Sequence, residues 1–190
     1  MNKTQFLTRF LHARNIYHDA DYPLSKPGKA AAVLLPIIEH NNQLSVLFTL
    51  RAKHLKHHAG QISFPGGKQE ITDNSLLDTA IRETQEEVGI LPSQIEVIGS
   101  LPLYRTISRF EVTPFIGFVN SPLTLIIDKN EVDSTFEVPL PYLLDQNNHL
   151  THWVKRNKTL QPIHFIPWQQ HTIWGATATF IRTLSQHIND

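Results

Sequence analysis

Between Ser75 and Val88 the apolar residues Leu77, Ile81, Thr84 and Val88 recur three and four positions apart, with Ala80 beside them. That is the period of one helical face. Asp73, Asn74 and Ser75 offer side-chain oxygens to the orphan N–H groups of a first turn, and Gly89 stands where a helix C-terminus turns left-handed. The flanks read differently. Ala30–Glu39 and Leu44–Arg51 are short apolar runs joined by turn residues at His40–Gln43, and Ile95–Leu101, Val112–Val119 and Leu123–Ile127 are also short and apolar. Trp153–Val154 and Ile163–Ile166 are weaker strand signals, and Thr172–His187 returns to helical spacing and is expected to close the fold. A chain that interleaves both periods buries its faces only by packing helices on a sheet, which predicts a mixed α/β or α+β domain.

Lys53–Gly67 is polar, rich in histidine and ends in Pro-Gly-Gly, so it reads as a loop with room for one short strand. The N-terminus, about residues 2–14, spaces Phe6, Leu7, Phe10 and Leu11 as a short amphipathic helix that packs on the domain. An arginine-containing amphipathic start also suits a mitochondrial presequence, but the apolar stripe is accounted for more simply by packing. It lacks the continuous apolar stretch of a signal peptide, and no later run is long enough to cross a bilayer. The expectation is one cytoplasmic domain spanning residues 1–190. The C-terminal Ile188-Asn189-Asp190 is no peroxisomal address.

Charge and cysteine content narrow the function. Seventeen basic residues balance seventeen acidic ones, so no net field draws the chain to nucleic acid or to a membrane. There is no cysteine, which excludes disulfides, thiolate metal sites and a cysteine nucleophile.

The helix carries Glu83, Glu86 and Glu87 within five positions. At about 100° per residue they share an arc of roughly 100°. Three carboxylates so close repel by a few tenths of a kcal/mol per pair, a penalty that a divalent cation converts into affinity. Oxygen-only donors suit magnesium or manganese rather than zinc. Arg82 precedes them and can fix one carboxylate's rotamer. Upstream, Phe64-Pro65-Gly66-Gly67 forms a glycine turn whose backbone can approach a cation or phosphate. The competing reading is a solvated acidic helix face, which three glutamates alone do not exclude.

The whole string decides between them. Residues 66–90, GGKQEITDNSLLDTAIRETQEEVGI, resemble the Nudix box, with Arg82, Glu83, Glu86, Glu87, Gly89 and Ile90 in its required places. Thr84 stands where an aliphatic residue is usual, though its methyl can still face the core. The acidic residue after the glycine is Asp73, and the box runs one residue longer than the common pattern from Gly67 to Arg82. That extra residue resembles the coenzyme A pyrophosphatase branch of the family. So does an adjoining signature over 47–67, carried by Leu47, Phe48, Thr49, Arg51, Ala52, Gly60, Phe64, Pro65, Gly66 and Gly67, in which Lys56 replaces an arginine and loses its planar fork. Thr113-Pro114-Phe115 and Ile173-Trp174-Gly175-Ala176-Thr177 look like the same branch.

The resemblance implies an α/β/α sandwich with a mixed central sheet and the box as loop–helix–loop. It also implies hydrolysis of coenzyme A, or an acyl or oxidised form, to 4′-phosphopantetheine and adenosine 3′,5′-bisphosphate. Glu83 and Glu87 would be the primary ligands of Mg2+ or Mn2+, with Glu86 and the Gly67 carbonyl completing the shell. Arg82 and the glutamates would be catalytic, with Glu83, Glu111 and Glu131 as candidate general bases. Arg51, Lys56, Gly66 and Phe64 would bind substrate. The partner is then a small molecule, and a homodimer is left open. Other substrates, such as ADP-ribose or a dinucleotide, fit the box alone. A silent nucleotide sensor would not need the intact glutamate trio.

Arg51, Lys53, Lys56, His57 and His58 make a local basic cluster. Arg51 with Lys56 could meet the 3′-phosphate of coenzyme A, or Arg51 could orient the glutamates. His54, His57 and His58 have chelate-like spacing but no partner carboxylate or cysteine to complete a site. Trp153, Trp168 and Trp174 are expected to pack in the core or at its edge.

Overall fold

The two apolar runs of residues 30–51 form a hairpin, β1 (Lys29–His40) and β2 (Gln43–Arg51), closed by Asn41 and Asn42 at φ 50° and 63°. Asparagine tolerates that left-handed region because its short amide side chain can hydrogen-bond locally. The structure, a computed structural model, describes residues 1–13, 22, 24, 26–120, 123–156 and 159–189. In it β7 (Phe110–Val119) runs parallel to β1 along ten register pairs, and β5 (Ile95–Ser100) pairs antiparallel with β7 beyond it. Short β6 (Tyr104–Arg105) also pairs with β7, and β8 (Val132–Pro139) covers the outer edge of β2. The sheet is therefore mixed.

Strand alternation divides its two faces. Ala31, Leu35 and Ile37 of β1 join the larger core cluster with Ile116 and Phe118 of β7. That side is covered by α1 (Lys3–His12), α3 (Leu140–Leu144) and α4 (Ala176–Asn189), which contribute Phe6, Phe10, Leu143 and Leu184. Ala32, Leu34 and Ile38 face the other way, toward Ala80 and Val88 of α2 (Leu76–Val88). Helices thus lie on both faces, the expected α/β/α arrangement. Each large side chain fully buried in these layers, such as Phe6 or Phe48, contributes about 1.5–3 kcal/mol.

Several expectations are corrected. The helical stripe that reaches the core is rotated by one position: Thr79, Ala80, Thr84, Glu87 and Val88 are buried, whereas Leu77 and Ile81 are half-buried. Leu123–Ile127 is not a strand. Leu123 and Leu125 pack beside Val88 while Ile126 N–H donates to the Val88 carbonyl at 3.0 Å, so the segment caps the end of α2 instead of joining a sheet edge. Thr172–His187 is two elements, β11 (His171–Trp174) and α4, separated at Gly175, whose φ of 64° ends the strand. The weak signals near Trp153 and Ile163 belong to a long hairpin, β9 (Leu150–Arg156) and β10 (Thr159–Trp168), which with β11 makes a second, three-stranded antiparallel sheet. Trp153 and Trp174 are exposed on it, at 59% and 41%, with Trp174 stacked on Phe165, and Trp168 packs beside the core against Tyr142. Leu11 of the N-terminal helix is likewise exposed, and residue 14 of the predicted helix lies outside the described residues. No helix among the described residues is long and apolar enough to cross a membrane.

Candidate metal centre

The site begins where β1 and β2 part. They pair only from Ile37–His40 with Gln43–Val46. Past that point Thr49 and Leu50 of β2 take β3 (Ile62–Ser63), and Ala31–Val33 of β1 take β4 (Gly66–Lys68). The predicted loop therefore carries two short strands. Between them Leu34 N–H donates to the Pro65 carbonyl at 2.9 Å, which inserts the Pro-Gly-Gly turn into the gap. Phe64, expected at the substrate, is 2% exposed and stacks on Phe48 with ring centroids 4.9 Å apart; it anchors the turn in the core.

Against this turn lies α2. Ser75 caps it by accepting from Asp78 N–H at 3.1 Å, and Gly89 closes it at φ 76°. Thr84, the departure from the usual pattern, is fully buried and returns its hydroxyl proton to the Ala80 carbonyl at 2.6 Å. Gly67 is required for a different reason. A Cβ there would collide with the Glu83 carboxylate, its Cδ 2.5 Å and its Oε2 2.8 Å away. Glu83 thus sits in a hollow that only glycine leaves open.

Arg82 holds Glu83 from the other side. Its Nε and Nη2 donate to the two oxygens of Asp73 at 2.9 and 3.0 Å, and its Nη1 donates to Glu83 at 3.0 Å and Glu86 at 2.8 Å. Asp73 is itself fixed by the Glu70 N–H and the Thr79 hydroxyl, both at 2.9 Å. Hydrogen bonds from Arg82 above all hold the Asp73 carboxyl well below the usual carboxylate range, and Asp73 raises the arginine in turn. The result is a rigid fork, since the guanidinium is planar and its donors point in fixed directions.

Carboxylate oxygens of Glu83, Glu87 and Glu131 all lie within 4.8 Å of one another. Glu86, expected in the metal shell, is 58% exposed at its side chain and bonded to Arg82, and Glu131 stands in its stead as the third carboxylate of the trio. Sequence spacing offered no sign of that substitution. The backbone accounts for it: Asp128 N–H donates to the Glu87 carbonyl at 3.1 Å, and Ala52 N–H to the Glu131 carbonyl at 2.8 Å, which folds the loop before β8 onto the end of α2. Glu111, another candidate base, pairs with Arg105 at 3.2 Å and stands outside the cluster. Lys56 and the three loop histidines are exposed, and the histidines join no metal-like group among the described residues.

Glu87 is the unusual member. It is 1% exposed, yet neither carboxyl oxygen has a full hydrogen bond, the Gly66 backbone N–H being its one weak donor. Its nearest countercharge is Arg51, Nη1 to Oε1 at 3.5 Å. Burial pushes the carboxyl up to about 8 against the opposing pull of Arg51, with Glu83 and Glu131 adding repulsion. Glu83 is raised too, mainly by burial and against Arg82. Orphaned buried carboxylate oxygens are costly, and an all-oxygen trio with a glycine hollow beside it fits a hard divalent cation. Gly67→Ala is expected to push Glu83 out of this set and lower kcat/KM by about 10- to 100-fold with little loss of thermal stability. Unchanged kinetics in that variant would separate Gly67 from the site.

Comparison with known proteins identifies the family. The sequence model of one family, described as NUDIX domain, matches residues 28–169. The Nudix hydrolase NudL of Pectobacterium atrosepticum is 37% identical over 162 residues, covering 85% of this chain and 84% of its own. That of Salmonella heidelberg is 39% identical over 185 residues, covering 96% and 93%. Among solved structures, the MutT protein of Methanosarcina mazei superposes with a TM-score of 0.57 at 18% identity, over 88% of this chain and all of that one, a likeness of fold alone.

Proposed function

From the premise that this chain belongs to the Nudix hydrolase family, enzymes acting on pyrophosphate bonds, we propose that it cleaves the diphosphate of coenzyme A or its acyl or oxidised derivatives. The observation that carries the hydrolytic reading is the trio Glu83, Glu87 and Glu131, with both Glu87 oxygens buried and without a full hydrogen bond. Coenzyme A as substrate is supported by the signature over residues 47–67, which adjoins the box in register.

Glu83, Glu87 and Glu131 would hold Mg2+ or Mn2+. A bound dication supplies positive charge to phosphate oxygens and acidifies water. The chain's own groups do the rest. Arg82, anchored on Asp73, fixes the Glu83 carboxylate against Gly67. Glu131 is exposed, with no hydrogen bond or ion pair to its carboxylate among the described residues, and the oxygen it does not give to the cation would take a proton from attacking water. Water oxygen adds to one phosphorus, the bridging P–O bond breaks, and the electron pair leaves with the other phosphate. The products are 4′-phosphopantetheine and adenosine 3′,5′-bisphosphate.

Purified protein incubated with coenzyme A and Mg2+ or Mn2+ is expected to release those two products, separable by chromatography. Chelation should reduce the rate to background and either ion should restore it. Turnover of ADP-ribose or a dinucleotide but not coenzyme A would keep the chemistry and discard the substrate. Activity that survives exhaustive chelation would exclude the cation.

A further inference from the structure

Arg51 and Glu87 make an incomplete pair. The arginine side chain is 23% exposed and the carboxylate 2%, yet they meet at 3.5 Å, beyond hydrogen-bond length, and apart from a weak approach of the Gly66 backbone N–H neither Glu87 oxygen has a donor. Among the described residues the Arg51 guanidinium makes this one ion pair and no hydrogen bond, so its donors are unspent. Its backbone, by contrast, is fixed on both sides: Arg51 N–H donates to the Gln61 carbonyl at 2.9 Å and Gly60 N–H to the Arg51 carbonyl at 3.1 Å. The ladder between β2 and β8 slips at Leu50/Arg51, a bulge of the kind that re-aims a side chain. Arg82, by comparison, spends its donors on Asp73, Glu83 and Glu86 at 2.8–3.0 Å. One arginine of the site is locked and the other is poised.

We propose that Arg51 is a transferable countercharge: it faces Glu87 while no cation is bound, and its guanidinium turns to a phosphate of the substrate once a dication has taken Glu87. This rests on the metal-site reading above. Arg51 then competes with the cation in the free protein and cooperates with it in the presence of diphosphate. The two binding events are therefore coupled, and the coupling is reciprocal. A planar fork with free donors is suited to phosphate oxygens in a way that a lysine is not.

The test is Mn2+ binding to the substrate-free protein, read from the electron paramagnetic resonance of the free ion, for wild type, Arg51→Gln and Arg51→Lys. Loss of the countercharge in Arg51→Gln should tighten Mn2+ by about five-fold or more. Arg51→Lys, which keeps the charge, should stay within about two-fold of wild type. In kinetics, Arg51→Gln should need less Mn2+ for half-activation while the KM for the diphosphate substrate rises, two readouts moving in opposite senses. An arginine that merely props Glu87 in place gives the reverse, weaker Mn2+ binding in both variants. Equal or weaker Mn2+ binding by a folded Arg51→Gln, beside normal binding by wild type, would overturn the role given to Arg51. A wild-type protein that binds no Mn2+ would overturn the metal-site reading itself. Circular dichroism identifies a misfolded Gln variant, and Arg51→Lys then carries the test: a loss of Mn2+ affinity there counts against the proposal.

Discussion

Glu87→Gln is expected to lower turnover by about 10³-fold while raising the melting temperature of the metal-free protein. Both effects come from one carboxylate. The several kcal/mol that a dication supplies to a developing phosphate charge depend on a full negative charge at the ligand, and an amide cannot provide it. Without metal, the same charge is a burden, because burial pushes the Glu87 carboxyl up to about 8. The folded chain then holds a proton that the unfolded chain releases in the ordinary carboxylate range. Stability from this group is therefore intact at acid pH and is lost as pH rises toward 8. Glutamine, of nearly the same volume, removes that loss. At pH 8 the gain should be a few kcal/mol, each worth roughly 2–4 °C in a chain of this size, and it should shrink several-fold at pH 5. Thermal melts in chelator at the two pH values measure it. A variant that is less stable than wild type at pH 8 would mean that Glu87 is held by contacts rather than tolerated for its chemistry.

Glu83→Gln should cost about 10²- to 10³-fold in kcat/KM with a much smaller change in stability. Arg82 keeps its two bonds to Asp73, and the Asp73 bonds to Glu70 N–H and the Thr79 hydroxyl do not involve Glu83, so the loop before α2 stays tied. Gln can still accept from Arg82 Nη1, which preserves the position of the side chain against Gly67. What is lost is the charge and one anionic oxygen for the cation. The measurement is kcat/KM with Mn2+ in excess, alongside a thermal melt. Turnover near that of wild type would remove Glu83 from the site.

The parts of this molecule that could be read from its sequence are those whose signal is local. Helix α2, with its cap and its glycine stop, and strands β1, β2, β5 and β7 follow from spacing over a few residues. Strand β8 did not announce itself because an edge strand, half-exposed and carrying Asp133, Ser134, Thr135 and Glu137, needs few apolar residues. At the end of the chain, strand β11 and helix α4 join without a polar interruption, so helical spacing runs through both and only Gly175 marks the change. The same distinction holds at the site. Glu83 and Glu87 share a helix face, so their proximity is a matter of arithmetic, whereas Glu131 arrives through backbone bonds from a loop whose path no local period encodes. Phe64 sits in a motif that points to the substrate, yet its neighbours make it a core residue.

The parallel pairing of β1 with β7 has a consequence for how the chain reaches its native state. Each of its ten register pairs joins residues that are separated by the whole of β2, α2 and β5. Contacts of such high order form only after a large loop has closed, which places folding in the slower part of the range for domains. During synthesis, the apolar run Val33–Ile38 leaves the ribosome well before Phe110–Val119, and one edge of that strand waits unpaired. The centre of the sheet thus stays unprotected until β7 has emerged and is exposed to aggregation when folding stalls, so soluble yield should depend on conditions that slow synthesis or shield that strand.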